Sequence, residues 1–212
     1  MKTRVYVVDD DRDVREALTV LLRTAGMEVE AFPDATKLLA VVKERTPGCI
    51  IADLRMPLVT GLQLQDKLRE MKCLWPVVVI TGHGDINACR RAFKGGAIEF
   101  LTKPVDEHEL IEAVQKGLTQ FAGRAERDAE IAEAQELLAK LTPRERDVLD
   151  MVARGWATKQ IATALDLSAR TVDVHRAHIA EKLGTTSVAE LARLSILTNA
   201  DNACTSVEPS NR

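Results

Sequence analysis

Short apolar runs alternate with amphipathic stretches over the first half of the chain, and this alternation constrains the fold more than any other feature. Three of the runs are nearly continuous in apolar residues, as strands covered on both faces of a parallel sheet must be. The stretches between them repeat apolar residues at helical spacing. The runs occupy positions 5–8, 27–30 (the weakest), 49–52, 77–80 and 98–101. Five such units predict a doubly wound α/β domain with a five-stranded parallel sheet, which we place at residues 1–118.

The composition changes after this region. Between residues 119 and 140 Gly and Pro nearly vanish while Ala, Glu, Arg and Leu dominate, which favours a helix by intrinsic propensity. We therefore predict a helical linker, either a solvated connector or a helix that pairs two copies of the chain. Its apolar positions are too sparse to establish a coiled coil.

A second, all-helical unit is predicted at residues 141–199. Thr142-Pro143-Arg144-Glu145 forms a capping box, with Pro at the first helical position. Apolar residues at helical spacing then indicate four short helices, the third of them capped by Ser168 and closed by Gly184. The polar segment 200–212 is predicted to be disordered.

Composition limits where such a chain works. Hydrophobic residues make up 46% and charged residues 29%, which excludes collagen-like and wholly disordered proteins. No apolar run approaches the ~18–20 residues that cross a bilayer, so no membrane partner is expected. The four cysteines show no CxxC spacing, which is typical of free thiols in a reducing cytoplasm. We expect a soluble, cytoplasmic protein.

Carboxylates follow two of the predicted strands. Asp9, Asp10 and Asp11 come directly after the first run, and Asp53 directly after the third. The carboxyl ends of neighbouring parallel strands meet at one edge of the sheet, where ligands bind. Crowded carboxylates resist burial unless a cation neutralises them, and oxygen ligands of this kind suit Mg²⁺.

A hydroxyl and an ammonium are predicted at the same edge. Thr81 follows the fourth strand and Lys103 follows the fifth. A nucleophilic carboxylate, a metal, and a Thr and a Lys to hold phosphoryl oxygens together indicate phosphoryl transfer.

Residues 4–116 resemble a response-regulator receiver domain. The resemblance implies that Asp53 accepts the phosphoryl group and that Asp9 and Asp10, with Asp53 and the backbone carbonyl of Arg55, bind Mg²⁺ (or Mn²⁺). The motifs that carry it are Val7-Val8-Asp9-Asp10-Asp11, Asp53-Leu54-Arg55-Met56-Pro57, Thr81-Gly82-His83-Gly84-Asp85 and Phe100-Leu101-Thr102-Lys103-Pro104.

The same resemblance implies three further roles. Thr81 and Phe100 form the switch pair that rearranges after phosphorylation. Lys103 contacts the phosphoryl group, and its bond to Pro104 is a candidate cis peptide. An enzyme that transfers phosphate to small molecules through an Asp nucleophile is the alternative, but Asp53-Leu54-Arg55 lacks the second Asp of a DxD motif. We therefore expect that the chain is not an enzyme.

Residues 141–197 resemble the helix-turn-helix domain of the LuxR/FixJ group. The motifs are Leu141-Thr142-Pro143-Arg144-Glu145, Lys159-Gln160-Ile161-Ala162, Thr171-Val172-Asp173-Val174-His175-Arg176 and Glu181-Lys182-Leu183-Gly184. The unit carries eight Lys and Arg against seven Asp and Glu, so nonspecific affinity for DNA should be modest and dimerisation should matter.

The third helix of this unit is the predicted recognition helix. Val172, Ile179 and Leu183 form its buried stripe, which places the other side against base edges. The base-contacting positions implied by the resemblance are Asp173, Val174 and Ala177. The candidates for phosphate contacts are Lys159, Arg170, Thr171, His175, Arg176, His178 and Lys182. Asp173 departs from relatives that carry a lysine there; it either accepts from a cytosine amino group or is a surface acid.

Together the two resemblances imply a FixJ-type response regulator of a bacterial two-component system. The expected partners are a sensor histidine kinase, promoter DNA, RNA polymerase and, after phosphorylation, a second copy of the chain. The alternative is a DNA-binding protein whose receiver domain serves only as a constitutive docking or dimerisation module. That alternative predicts a damaged acidic pocket, whereas every expected position is filled here.

Overall fold

A computed structural model describes residues 3–82 and 86–204 of the chain. It divides into two compact units, Met1–Arg124 and Ala125–Arg212. The first unit is a five-stranded, fully parallel sheet in the order β2-β1-β3-β4-β5, so the predicted doubly wound fold is confirmed. The strands are β1 (Arg4–Val8), β2 (Glu28–Phe32), β3 (Cys49–Asp53), β4 (Val77–Thr81) and β5 (Glu99–Thr102).

Helices cover both faces of this sheet. On one face, Tyr6 and Val8 of β1 belong to a buried cluster with α2, α3 and α4, and on the other Val5 and Val7 pack with α1 and α5. The alternation explains the continuous apolar runs, because both faces of each central strand are buried. The helices are α1 (Arg12–Thr24), α2 (Ala35–Val41, followed by a 3₁₀ turn at Val42–Glu44), α3 (Gly61–Glu70), α4 (Ile86–Lys94) and α5 (Glu107–Ala139).

Strand β2 lies slightly further along the chain than the apolar run predicted. It pairs in register with β1, from Arg4 opposite Glu28 to Val8 opposite Phe32. Phe32 is buried in the core, whereas Glu28 forms an ion pair with Arg4 at 2.7 Å on this edge strand. The predicted run, residues 27–30, omitted Phe32, and the burial of this side chain extends the strand to position 32.

The second unit is helical, with α6 (Pro143–Ala153), α7 (Thr158–Leu165), α8 (Ala169–Leu183) and α9 (Val188–Cys204). The predicted capping box is present: the Thr142 hydroxyl accepts from the Glu145 amide, and the Glu145 carboxylate accepts from the Thr142 amide. Ser168 caps α8, and Gly184 ends it in the left-handed conformation. These local signals determine where the short helices begin and end.

Helix α5 takes in nearly all of the segment predicted as a helical linker. From Ala125 onwards this helix belongs to the second unit, and Leu137 and Leu138 pack against that unit's own core. Helix α9 extends to Cys204, so it includes the first positions of the predicted disordered tail; Ala200 and Ala203 are strong helix formers. Residues 205–212, the rest of that prediction, lie outside the described residues. Among the helices described, none combines the length and apolar character needed to span a membrane.

Candidate functional site

Four side chains predicted to meet at one sheet edge do so. Asp9 follows β1, Asp53 ends β3, Thr81 ends β4 and Lys103 follows β5, and these four strands are neighbours in the sheet. The Lys103–Pro104 peptide bond is cis, as predicted. The edge therefore collects residues that lie as much as 94 positions apart in the chain.

The pocket is a tight cluster of charges. The Lys103 ammonium lies 2.7 Å from Asp9 Oδ2 and 3.3 Å from Asp53 Oδ2. One carboxylate oxygen from each of Asp9, Asp10 and Asp53 falls within 4.8 Å of the others. Asp9 is fully buried and Asp53 nearly so, while Asp10 is exposed. Three carboxylates against one ammonium leave net negative charge, and hard oxygen donors in this number fit a divalent cation such as Mg²⁺.

Burial and the charge of Lys103 have opposite effects on the pKa of the nucleophile, Asp53. Burial raises the pKa of the Asp53 carboxyl above its usual value, and the Asp9 charge raises it further. The Lys103 ammonium and the backbone N–H of Arg55 lower it in part. Burial also lowers the pKa of Lys103, but its contacts with Asp9 and Asp53 outweigh this and leave the pKa raised. Lys103 therefore stays cationic beside the two acids.

Two residues outside the predicted set hold the first acid in place. The Asp9 carboxylate accepts the Asp11 amide at 2.9 Å, and the Arg15 guanidinium donates to the Asp9 carbonyl at 2.7 Å. Asp11 itself caps α1 by accepting from the amides of Asp13 and Val14. Of the three consecutive acids, Asp11 thus has a structural role. The signal for it was an Asp directly before a helical pattern.

Gly61 closes the loop over the nucleophile. Its amide donates to the Leu54 carbonyl at 3.1 Å, and a Cβ at this position would lie 2.5 Å from the backbone oxygen of Asp53. A side chain here would displace the end of β3. The reason for glycine at position 61 is therefore close approach of the backbone.

The predicted switch residues share one face of the sheet. In the register of β4 and β5, Val79 is opposite Phe100 and Thr81 is opposite Thr102. Thr81 and Phe100 thus lie on the same face as Val79, two residues apart along neighbouring strands. Thr81 is fully buried, and Phe100 is half-buried against the core. In the predicted motif that begins at Thr81, His83, Gly84 and Asp85 lie outside the described residues.

A polar contact that the sequence did not indicate joins α3 to the end of α4. The buried Gln65 amide donates to the Ala92 carbonyl at 3.2 Å, and the Arg69 guanidinium donates to the Gly95 carbonyl at 2.6 Å. A Cβ at position 95 would meet the Gln65 side chain at 2.5 Å. The C-terminal end of α4 is therefore attached to α3.

In the helical unit, α8 has one buried and one exposed face. Val172, Ile179 and Leu183 are buried, as predicted for the stripe of the recognition helix. The predicted base-contacting residues Asp173, Val174 and Ala177 are all exposed, and Val174 exposes 46% of its surface. An apolar side chain exposed beside an acid on one helix face suits contact with base edges.

The predicted phosphate-contacting residues differ in their surroundings. Lys159 and Arg170 are exposed. Thr171 and Arg176 are half-buried, and the Thr171 hydroxyl lies 2.8 Å from that of Ser168. Within the described part of the chain, the buried Nδ1 of His175 has no hydrogen-bond partner.

His178 and Lys182 lie beside a buried acid. The Lys182 ammonium is 2.7 Å from Glu145 Oε2, and His178 Nδ1 is 3.9 Å from Glu145 Oε1. Hydrogen bonds from Lys182 and the Thr142 amide lower the pKa of Glu145 to about 2. Although both residues lie on α8, their side chains thus reach Glu145 on α6, and no local sequence pattern predicts this pairing.

Two family models match the chain, one for each unit. The response regulator receiver domain matches residues 5–115, and the bacterial regulatory proteins of the luxR family match residues 139–195. The chain belongs to the response regulators that join a receiver domain to a LuxR-type helix-turn-helix DNA-binding domain and act as transcriptional regulators.

Individual relatives agree over nearly the whole length. The chain is 41% identical to the response regulator protein TmoT of Ectopseudomonas mendocina over 191 residues, covering 90% of this chain and 87% of TmoT. Among solved structures, the response regulator StyR has a TM-score of 0.78 at 43% identity, with 92% of this chain and 99% of StyR covered. Full-length FixJ from B. japonicum has a TM-score of 0.60 at 34% identity, with 94% and 98% covered.

Proposed function

We propose that Asp53 accepts a phosphoryl group from a sensor histidine kinase and that this modification increases DNA binding by the helical unit. The observation that carries the proposal is the pocket itself, in which Asp9, Asp10 and Asp53 converge within 4.8 Å around the Lys103 ammonium. A constitutive docking module would have no need of such a costly cluster of buried charge.

The chemistry assigned to this pocket is transfer to an oxygen nucleophile. A carboxylate oxygen of Asp53 attacks the phosphorus of a phosphohistidine, the P–N bond breaks, and the imidazole leaves as the acyl phosphate forms. The Lys103 ammonium shifts its contact from the carboxylates to a phosphoryl oxygen of the product. The Thr81 hydroxyl binds a second phosphoryl oxygen. Asp9, Asp10, Asp53 and the Arg55 carbonyl would hold Mg²⁺ (or Mn²⁺), which supplies positive charge to the transferring group.

The response proceeds through the shared face of β4 and β5. When Thr81 turns toward the phosphoryl group, it leaves space beside Val79 into which Phe100 can move. Phosphorylation adds charge and strong acceptor oxygens, which suffices to bias such a two-state element. The surface formed by α4, β5 and the first turns of α5 then changes and favours pairing of two copies.

The paired helical units would bind promoter DNA and act with RNA polymerase. In this arrangement Asp173, Val174 and Ala177 contact bases. The phosphate contacts come from Lys159, Arg170, Thr171, His175, Arg176, His178 and Lys182. Two half-sites bound together raise affinity through effective concentration, which a nearly neutral unit requires.

The test follows one sample from modification to binding. The full-length protein is treated with a small-molecule phosphodonor with and without Mg²⁺, and acyl phosphate, sedimentation and DNA binding are then measured. We expect Mg²⁺-dependent label, a shift from monomer towards dimer and tighter DNA binding, all absent from Asp53→Asn. A single unchanged species that binds DNA equally well before and after complete phosphorylation would contradict the proposal and favour the docking module.

A further inference from the structure

A hydrogen bond connects the two helices of the helix-turn-helix at a position predicted to contact bases. The Thr158 hydroxyl donates to Asp173 Oδ1 at 3.3 Å. Thr158 is the first residue of α7 and is half-buried, whereas Asp173 is exposed on α8. The contact therefore joins the N-terminus of α7 to the exposed face of α8.

The start of α7 also favours a negative charge at this place. Its N-cap is Ala157, whose side chain offers no oxygen to the first amides of the helix. The exposed amides at a helix N-terminus carry partial positive charge. The Asp173 carboxylate accepts from the first residue of α7, so it lies close to that helix end, and a negative charge is favourable there.

We infer that Thr158 is a positioning residue that determines which base Asp173 recognises. This inference rests on the proposed DNA binding by α8. Oδ1 of Asp173 accepts the Thr158 hydroxyl, and within the described residues Oδ2 has no partner, so Oδ2 remains available to accept from a base. Without the Thr158 hydroxyl, the Asp173 carboxylate would rotate freely and turn away from the phosphates of bound DNA.

The chemistry of the free oxygen selects the base. An ionised carboxylate only accepts hydrogen bonds. In the major groove cytosine presents an amino donor, whereas adenine adds the N7 acceptor, and guanine presents two acceptors, which repel a carboxylate. Thr158 and Asp173 together should therefore specify cytosine at one position in each half-site.

The experiment uses the full-length protein, activated with Mg²⁺ and a small-molecule phosphodonor, in selection from randomised duplex DNA. Thr158→Val keeps the shape and removes the hydroxyl, and Thr158→Ser restores it. We expect Thr158→Val to lose roughly tenfold of the preference for cytosine at one position, the effect of losing one hydrogen bond to a charged group. Preferences at other positions and the salt dependence should not change. Thr158→Ser and wild type should select the same sequence.

Three results would overturn the inference. The first is an unchanged cytosine preference in Thr158→Val. The second is a uniform loss of affinity at all positions together with a lower melting temperature, which would make Thr158 a purely structural contact. The third is a wild-type protein that enriches no sequence, which would overturn the proposed DNA binding as well; the first two leave that proposal standing.

Discussion

The acidic pocket and the exposed face of α8 are built in opposite ways. The pocket gathers residues from four strand ends, and two of its acids, Asp9 and Asp53, are buried within hydrogen-bond or ion-pair distance of Lys103. The face of α8 takes Asp173, Val174 and Ala177 from five consecutive positions, all exposed. Charges in the pocket therefore determine one another's state, whereas no hydrogen bond or ion pair in the described part of the chain joins Asp173, Val174 and Ala177 to one another.

This difference has a consequence for mutation. Residues in one network of charges are strongly non-additive, while residues without shared partners usually contribute additively. Substitutions of the buried pocket acids should abolish function outright. Substitutions at Asp173, Val174 and Ala177 on α8 should change affinity or base preference in small, separable steps.

The largest expected effect is in the pocket. Asp53→Asn removes the nucleophile, so acyl-phosphate formation should be abolished in a phosphodonor assay. Because burial raises the pKa of Asp53, ionisation at neutral pH favours the unfolded state. The same variant should therefore have a higher melting temperature than wild type in Mg²⁺-free buffer. An alkali-labile label on Asp53→Asn would contradict the assignment of the site.

Asp10 and Asp11 provide a matched pair for the metal. Asp10→Asn removes a candidate ligand and should weaken the rise in melting temperature that Mg²⁺ produces. Asp11→Asn removes the same charge but keeps the cap of α1, because Asn is an equally good N-cap. Equal losses of Mg²⁺ response in both variants would mean that only net charge matters.

The next prediction tests whether α8 has its own coupled pair. Lys182→Met would leave the buried Glu145 carboxylate without its ammonium partner, which should lower the free energy of unfolding by about 3 kcal/mol. Lys159→Met removes a charge from an exposed site and should cost less than about 0.5 kcal/mol. Denaturant unfolding of the full chain measures both. Equal, small effects would show that Lys182 does not stabilise the buried Glu145 carboxylate.

A further prediction follows from the pKa of about 2 for Glu145, against an ordinary value of 4.5. The lowered pKa means that the ionised carboxylate stabilises the folded state fully above pH 4.5 and loses this contribution as pH falls towards 2. The difference in unfolding free energy between wild type and Glu145→Gln should shrink over that interval. A difference that is constant with pH would exclude a charged pair as its origin.

The smallest effect is expected at Arg176. Arg176→Ala should weaken binding to all DNA sequences about equally and reduce the magnitude of the salt slope by about one. Arg127→Ala removes the same charge from an exposed position on α5 and should leave the slope unchanged. In the double variant Arg170→Ala/Arg176→Ala the losses should add. A strongly non-additive loss of affinity would show that Arg170 and Arg176 are coupled to each other, as the charges of the pocket are.

Sequence patterns predicted what depends on periodicity and on strand ends. Asp9, Asp53 and Lys103 could be placed together because parallel strands end at a common edge. The capping signals at Thr142 and Ser168 located the helices of the second unit. The contacts that patterns missed lie between elements: Gln65 on Ala92, Lys182 on Glu145 and Thr158 on Asp173. Such pairs have no fixed spacing, so only the folded chain reveals them.

Substitution of Gly61 should impair signalling more than it impairs folding. A methyl group there would lie 2.5 Å from the backbone oxygen of Asp53, so even alanine must push the strand that carries the nucleophile. Moving that backbone disturbs a site whose charges must align more than it disturbs the domain core. A mutant library sorted for folded protein would therefore retain substitutions at position 61 that a library sorted for transcriptional output would discard.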